Sequence, residues 1–154
     1  MIRRPVIRVL PACLAVGLAL LPAASRAATP EEAKAPSERA AAYIQQAGEA
    51  KAFADFTRPD GGFTQGELYV FCYDRDGVNR AHGANPLFVG KNLKHLKDPD
   101  GIEPNAAIIE TGFGAGRGWV HFKWPNPVTK KIEPKSAYVI RTNDVVCGVA
   151  YYSN

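Results

Sequence analysis

The chain has 154 residues, 46% hydrophobic and 22% charged, with 19 Lys and Arg against 15 Asp and Glu and a formal net charge of +4. Four of the basic residues, Arg3, Arg4, Arg8 and Arg26, lie ahead of residue 28, so residues 28–154 carry 15 basic and 15 acidic side chains and are formally neutral. Phosphate backbones need a basic face; residues 28–154 hold no Lys/Arg run longer than Lys130-Lys131, which argues against nucleic acid as a partner.

The N-terminus has three parts. Arg3, Arg4 and Arg8 make a positive start, an apolar run follows from Val9 to Leu21, and small residues close the segment at Ala23-Ala24-Ser25-Arg26-Ala27. That order is the one of a cleavable secretory signal, with the cut expected after Ala27. A spanning helix needs roughly 20 apolar residues; this run is shorter and is marked by Pro11 and Pro22. The Leu10-Pro11-Ala12-Cys13 stretch is not read as a lipoprotein site, because most of the apolar run follows Cys13. The expectation is a signal over residues 1–27 and one soluble domain over 28–154, periplasmic or secreted, with no membrane span after cleavage.

Thr29 to Phe56 has helical composition. Thr29 suits the cap, Pro30 the first turn, and Glu32 completes a capping box. Pro36 argues against one unbroken helix, and Ser37 is placed to cap a restart. Tyr43, Ala47, Ala50 and Ala54 then recur at helical spacing, with Ile44 and Phe53 beside them. Arg58-Pro59-Asp60-Gly61-Gly62 ends the helix. From there the period changes. Glu67–Tyr73 reads as a strand, Asp74-Arg75-Asp76-Gly77 as a turn and Val78–Ala84 as the returning strand. Asn85–Gly90 is a loop, Lys91–Lys97 a short helix, Asp98-Pro99-Asp100-Gly101 a turn and Pro104–Glu110 a second short helix. Gly112, Gly114, Gly116 and Gly118 mark a flexible approach to a strand at Trp119–Trp124. Pro125-Asn126-Pro127 turns the chain, and strands at Ser136–Arg141 and Asp144–Tyr152 close it. This order predicts an α+β fold: an antiparallel sheet of about five strands, a long N-terminal helix and a short helical crossover.

Cys72 and Cys147 fall inside two of the strand-like segments. In an oxidising compartment they can form a disulfide, closing a loop of about 75 residues worth at most ~4–5 kcal/mol. The alternative is two buried free thiols, since cysteine also serves as a small apolar side chain.

Several segments together resemble the single Cache domain family. They are Gln46-Ala47-Gly48-Glu49-Ala50-Lys51-Ala52-Phe53-Ala54-Asp55-Phe56, Leu68-Tyr69-Val70-Phe71, Asp74-Arg75-Asp76-Gly77, Asn85-Pro86-Leu87-Phe88-Val89-Gly90-Lys91-Asn92-Leu93, and Asp98-Pro99-Asp100-Gly101. The strongest are Gly118-Trp119-Val120-His121-Phe122-Lys123-Trp124-Pro125-Asn126-Pro127 and Lys135-Ser136-Ala137-Tyr138-Val139. The resemblance implies a PAS-like extracytoplasmic sensor fold whose sheet encloses a small-ligand pocket, often for organic acids. The expected departure from the receptor pattern is that these 154 residues hold neither a second membrane segment nor a signalling domain. What it implies here is a free periplasmic binding or accessory sensor protein, with a membrane receptor or sensor kinase as its partner.

Lys135 and Tyr138 match the family's Lys-x-x-Tyr element, and the resemblance makes them the first candidates for ligand contact. A carboxylate needs a positive donor in a mostly apolar cavity, and a Tyr hydroxyl supplies a second hydrogen bond. In Trp119–Trp124 the residues Trp119, His121 and Lys123 alternate with Val120, Phe122 and Trp124. Either the mixed face lines the pocket, with Trp119 as a wall and His121 as a donor, or Phe122 and Trp124 build it; alternation leaves both open. The family commonly carries an acidic residue where His121 stands. The same ambiguity separates Tyr69, Phe71 and Tyr73 from Leu68, Val70 and Cys72. Phe71 is a further candidate wall, and His82 a candidate polar group at the end of the second strand. Cys72, His82, His121 and Cys147 lack the short spacings of a zinc site, so no metal and no cofactor is expected. Enzyme signatures such as Gly-x-Ser-x-Gly, a phosphate loop or His-Glu-x-x-His are absent. The expected function is binding of a small organic acid or related metabolite, not catalysis. The alternative is a protein-interaction module with a vestigial pocket.

Overall fold

The structure is a computed structural model that describes residues 28–153, so the expected signal over residues 1–27 lies outside the described residues. Two helices come first, α1 over Pro30–Ala47 and α2 over Glu49–Thr57. Six strands follow: β1 (Thr64–Gln65), β2 (Leu68–Asp74), β3 (Asn79–His82), β4 (Arg117–Pro125), β5 (Ile132–Thr142) and β6 (Val145–Tyr152). A third helix, α3 (Pro104–Ala115), lies between β3 and β4. The sheet is antiparallel in the order β1-β2-β6-β5-β4, and β3 also pairs with β2. The expected α+β architecture is therefore present, with a two-residue strand added to the anticipated five.

The capping box forms as its sequence requires. Thr29 N–H donates to Glu32 Oε2 at 2.6 Å and Glu32 N–H to Thr29 Oγ1 at 3.4 Å. The expected break at Pro36 does not occur. Helix α1 runs through it, and Ser37, rather than capping a restart, docks on the sheet. Its hydroxyl accepts from Val149 N–H at 2.8 Å and lies 2.9 Å from Tyr138 O, two residues paired in register across β5 and β6. Small residues permit this close approach: Ala33 and Ala40 are fully buried on the same side. The helix instead breaks at Gly48, whose φ of 81° suits a residue without Cβ.

Each strand divides its side chains between two layers. Val70, Cys72, Cys147 and Val149 point to one face and pack under Ala33, Ala40, Ile44, Phe53 and Phe56 of α1 and α2. Tyr69, Phe71, Tyr73, Val120, Phe122, Ala137 and Val139 point to the other, where Ile108 and Ile109 of α3 cover them. Cys72 and Cys147 sit directly opposite each other on β2 and β6 and form a disulfide, with Cα atoms 4.1 Å apart. The sulfurs are consumed in that bond.

The crossover differs in two respects from the expectation. Lys91–Lys97 is not helical; the short helical turn is a 3-10 turn at Pro86–Phe88, started by Asn85, whose Oδ1 accepts from Leu87 N–H at 3.2 Å. The segment then follows the sheet edge, with Asn79 N–H donating to Lys91 O and Gly90 N–H to Asn79 O. Helix α3 in turn continues beyond Glu110 through Gly112 and Gly114 to Ala115. Gly112 belongs inside the helix because it is the contact point: a Cβ there would lie 2.3 Å from Val146 Cγ2. We expect Gly112→Ala to lift α3 from the sheet and cost about 1–3 kcal/mol, read as a lower urea midpoint at unchanged m-value.

A pocket between the sheet and the crossover helix

The α3 side of the sheet encloses a small cavity. Strand β2 supplies Tyr69, Phe71 and Tyr73, β4 supplies Phe122 and Trp124, and β5 supplies Lys135. His82 closes it from β3, and Asn105 and Ile108 close it from the N-terminal half of α3. The room left for the centre of a water molecule is about 10 Å³, enough for about one water.

Lys135 is placed there by register. It sits between Phe122 on β4 and Tyr152 on β6, with all three side chains on the same face. Only 3% of the lysine is exposed. Its Nζ donates to the Tyr69 hydroxyl at 2.6 Å and stands 4.1 Å and 4.6 Å from the ring centres of Tyr69 and Tyr152. Among the described residues no carboxylate pairs with it. Glu67 is the acid whose charge acts on it, and Glu67 and Glu133 both accept from Asn126 Nδ2, at 3.0 Å and 2.7 Å. Burial pushes the Lys135 ammonium well below the ordinary lysine range, with Glu67 opposing weakly from a distance. A hydroxyl and two ring faces soften the cost of a buried cation, but they do not neutralise it.

His82 is equally buried. Its Nδ1 accepts from Asn85 N–H at 3.0 Å, so the neutral ring carries its proton on Nε2. The ring lies 4.9 Å from Tyr69 and edge-on to Phe88 at 5.1 Å. Burial, and secondarily the charge of Lys135, pushes its pKa down to about 3. The unfolded chain therefore binds a proton that the folded one refuses between about pH 6.5 and about pH 3. Stability attributable to this residue falls as pH drops through that window. We expect a loss of about 3 kcal/mol by about pH 4.5, measured by urea denaturation against pH. His82→Asn, which keeps an acceptor for Asn85, should flatten that part of the profile. Burial also holds the phenols of Tyr69 and Tyr73 above their ordinary range, which leaves them as neutral donors. Asn105 Nδ2 donates to Leu93 O at 2.8 Å and ties the crossover segment to α3.

Of the candidates taken from the sequence, the structure brings Lys135, Phe71 and His82 together at this cavity. It does not bring Tyr138, Trp119 or His121 there. Tyr138 is three residues from Lys135 along a strand, an odd separation that sends it to the opposite face. There its ring packs 5.0 Å from Trp119, with Lys34 Nζ 5.6 Å away. The Lys-x-x-Tyr element thus spans both faces of the sheet, and Tyr138 serves the layer under α1. His121 is exposed on that same side, its Nδ1 2.8 Å from Ser136 Oγ. The pocket follows the second reading of β4, with Phe122 and Trp124 as its walls. The residues not anticipated at the site are Tyr152, Asn105 and Ile108, while Tyr69 and Tyr73 belong to one of the two faces left open on β2. For Tyr69 and Tyr73 a signal existed: both share a strand face with Phe71.

The family model Single Cache domain 2 matches residues 24–153. The chain belongs to the single Cache domain family. This Cache domain is 39% identical over 72 residues to the sensor histidine kinase MctS of Rhizobium johnstonii; the match covers 47% of the chain and 15% of that kinase. The chain therefore spans a small part of the length of that relative. Its fold is that of a methyl-accepting chemotaxis protein from Vibrio parahaemolyticus, with a TM-score of 0.68 and 26% identity over 79% of this chain and 86% of that one. A Cache chemosensory domain solved as the structural basis for carboxylic acid recognition superposes with a TM-score of 0.62 and 24% identity, covering 76% and 79% of the two chains. These relatives include a sensor histidine kinase and a methyl-accepting chemotaxis protein, and the chain shares the Cache domain with that class. Among its described residues no helix is long and apolar enough to cross a membrane.

Proposed function

We propose that residues 28–154 act, after removal of residues 1–27, as a periplasmic or secreted sensor that binds a short monocarboxylate. The observation that carries this reading is Lys135, a buried amine at a cavity with no carboxylate paired to it. A ligand carboxylate would supply the missing charge, with the Tyr69 hydroxyl and His82 Nε2–H as neutral donors to its second oxygen. The rest of the lining narrows the class. Lys135 is the single charged residue of the wall, which carries no carboxylate. A dicarboxylate would bring a second charge without a partner, and the ammonium of an amino acid would find no anion. Phe71, Ile108, Phe122 and Trp124 suit a short alkyl chain. Size points the same way: room for about one water favours a ligand of a few heavy atoms, admitted by a small outward shift of α3. The carboxylic acid recognised by the Cache neighbour described above supports the class.

The test is thermal unfolding of the purified protein with acetate, propionate, pyruvate, succinate and glycine. Monocarboxylates should stabilise it by RT ln(1 + [L]/Kd), about 2.7 kcal/mol at a hundredfold excess over Kd, and succinate and glycine should not. The small cavity also favours a second reading, a vestigial pocket on a domain that docks on a membrane receptor or sensor kinase. Stabilisation by none of the acids, together with a receptor that co-purifies, would select that reading.

A further inference from the structure

We propose that each carboxylate entering this pocket is taken up together with one proton, which comes to rest on Lys135 Nζ. The inference rests on the monocarboxylate reading above and adds the protonation chemistry of the same site. Its basis is the set of groups around the amine. From β2, Tyr69 presents a hydroxyl and a ring face; from β6, Tyr152 presents a ring face and sends its hydroxyl to Pro125 O at 2.8 Å. From β3, His82 is neutral, its Nδ1 occupied by Asn85 N–H. Phe122 and Trp124 from β4 and Asn105 and Ile108 from α3 carry no charge. Glu67, whose charge acts on Lys135, and Glu133 both accept from Asn126.

No group in that list forms an ion pair with an ammonium, and the charge of Glu67, beside Asn126, only partly opposes burial, so the empty pocket favours the free amine, the direction in which burial pushes the residue. A carboxylate reverses the preference, because the ion pair it forms is worth more in a low-dielectric cavity than in water. The balance is simple. A neutral amine, a solvent proton and a carboxylate anion give an ammonium–carboxylate pair, and no covalent bond changes. Entry of the neutral acid followed by proton transfer to the amine gives the same product. The tyrosine phenols, held above their ordinary range, stay protonated throughout. His82 has no proton to give without losing its neutral form. Sensing then depends on acidity as well as concentration. The same amount of carboxylate occupies more of the protein in acid medium than in alkaline medium, until the unliganded amine is itself protonated.

Isothermal titration of the purified protein with acetate or propionate tests this. In two buffers of different protonation enthalpy at about pH 8, the difference in heat should report close to one proton taken up per ligand. Affinity should fall as pH rises, toward a limit of roughly tenfold per pH unit wherever the empty amine is neutral and the occupied one is charged. In His82→Asn the uptake per bound ligand should persist even where affinity drops. Binding with buffer-independent heat and a flat pH profile would overturn the coupling while leaving the monocarboxylate reading intact. Loss of uptake in His82→Asn would overturn the assignment to Lys135. If no monocarboxylate binds at any pH, the functional reading fails and the coupling with it.

Discussion

Lys135→Met is expected to weaken monocarboxylate binding at least about a hundredfold and to leave the unliganded domain as stable as before, or more so. The affinity loss follows from removing the one cation of the wall and its charge-assisted hydrogen bonds, interactions worth about 3 kcal/mol or more in a buried site. The stability result follows from the same residue viewed without ligand. Its amine is buried against two ring faces and one hydroxyl, with no counter-charge. Methionine keeps a similar stem and places a polarisable sulfur against the same rings. It leaves the Tyr69 hydroxyl without this donor, a cost of about 1 kcal/mol that relief from burying an unpaired amine offsets. Titration calorimetry gives the first quantity and urea denaturation the second. Undiminished affinity would remove Lys135 from the site. A large loss of stability would make the lysine a structural residue rather than a receptor for an anion.

Breaking the Cys72–Cys147 bond should have the largest effect on stability of any change to the domain, and little effect on the pocket. The two residues are 75 apart in sequence, and a loop of that length corresponds to about 4 kcal/mol in the chain-entropy account. The bond joins β2 to β6 at the centre of the sheet, where the chain returns after the whole crossover, β4 and β5. The double variant Cys72→Ala, Cys147→Ala should therefore unfold on the order of 10 °C lower. Reduction of the native protein in mild denaturant should do the same. Because both sulfurs lie under α1 and α2, on the face opposite Lys135, the folded variant should bind monocarboxylates within a few-fold of the native affinity. A large affinity loss would mean that the bond sets the curvature of the sheet as well as its stability.

Local chemistry made much of the fold legible. The capping box at Thr29 and Glu32, the turns at Asp74-Arg75-Asp76-Gly77 and Asp98-Pro99-Asp100-Gly101, and the alternating strands all form where residue types demand them. In both turns an aspartate Oδ1 accepts two backbone N–H groups, and that interaction needs no distant partner. The departures have a common cause. Pro36 inside α1 and Gly112 inside α3 oppose helix by local preference, yet each helix continues because the surface beneath it rewards the approach. Ser37 reaches the β5–β6 ladder, and Gly112 touches Val146. Lys91–Lys97 has helical composition, but Lys91 to Leu93 pair with the Gly77–Asn79 segment and a turn follows at Lys94–His95. In each case a contact remote in sequence outweighed a propensity worth about 1–3 kcal/mol.

The site divides along the same line. The sequence by itself determined which side chains travel together. Tyr69 goes with Phe71 and Tyr73, Phe122 goes with Trp124, and Lys135 parts from Tyr138, because strand geometry alternates whatever the surroundings. It also determined the pairing chemistry of Cys72 and Cys147 once two strands brought them level. Only the tertiary structure decided which set faces α3 and which faces α1, since alternation is symmetric until a helix packs on one side. That choice left Lys135 between Tyr69 and Tyr152 with no carboxylate paired to it among the described residues. A buried amine becomes a binding site only through what is missing around it, and no local stretch of chain records such an absence.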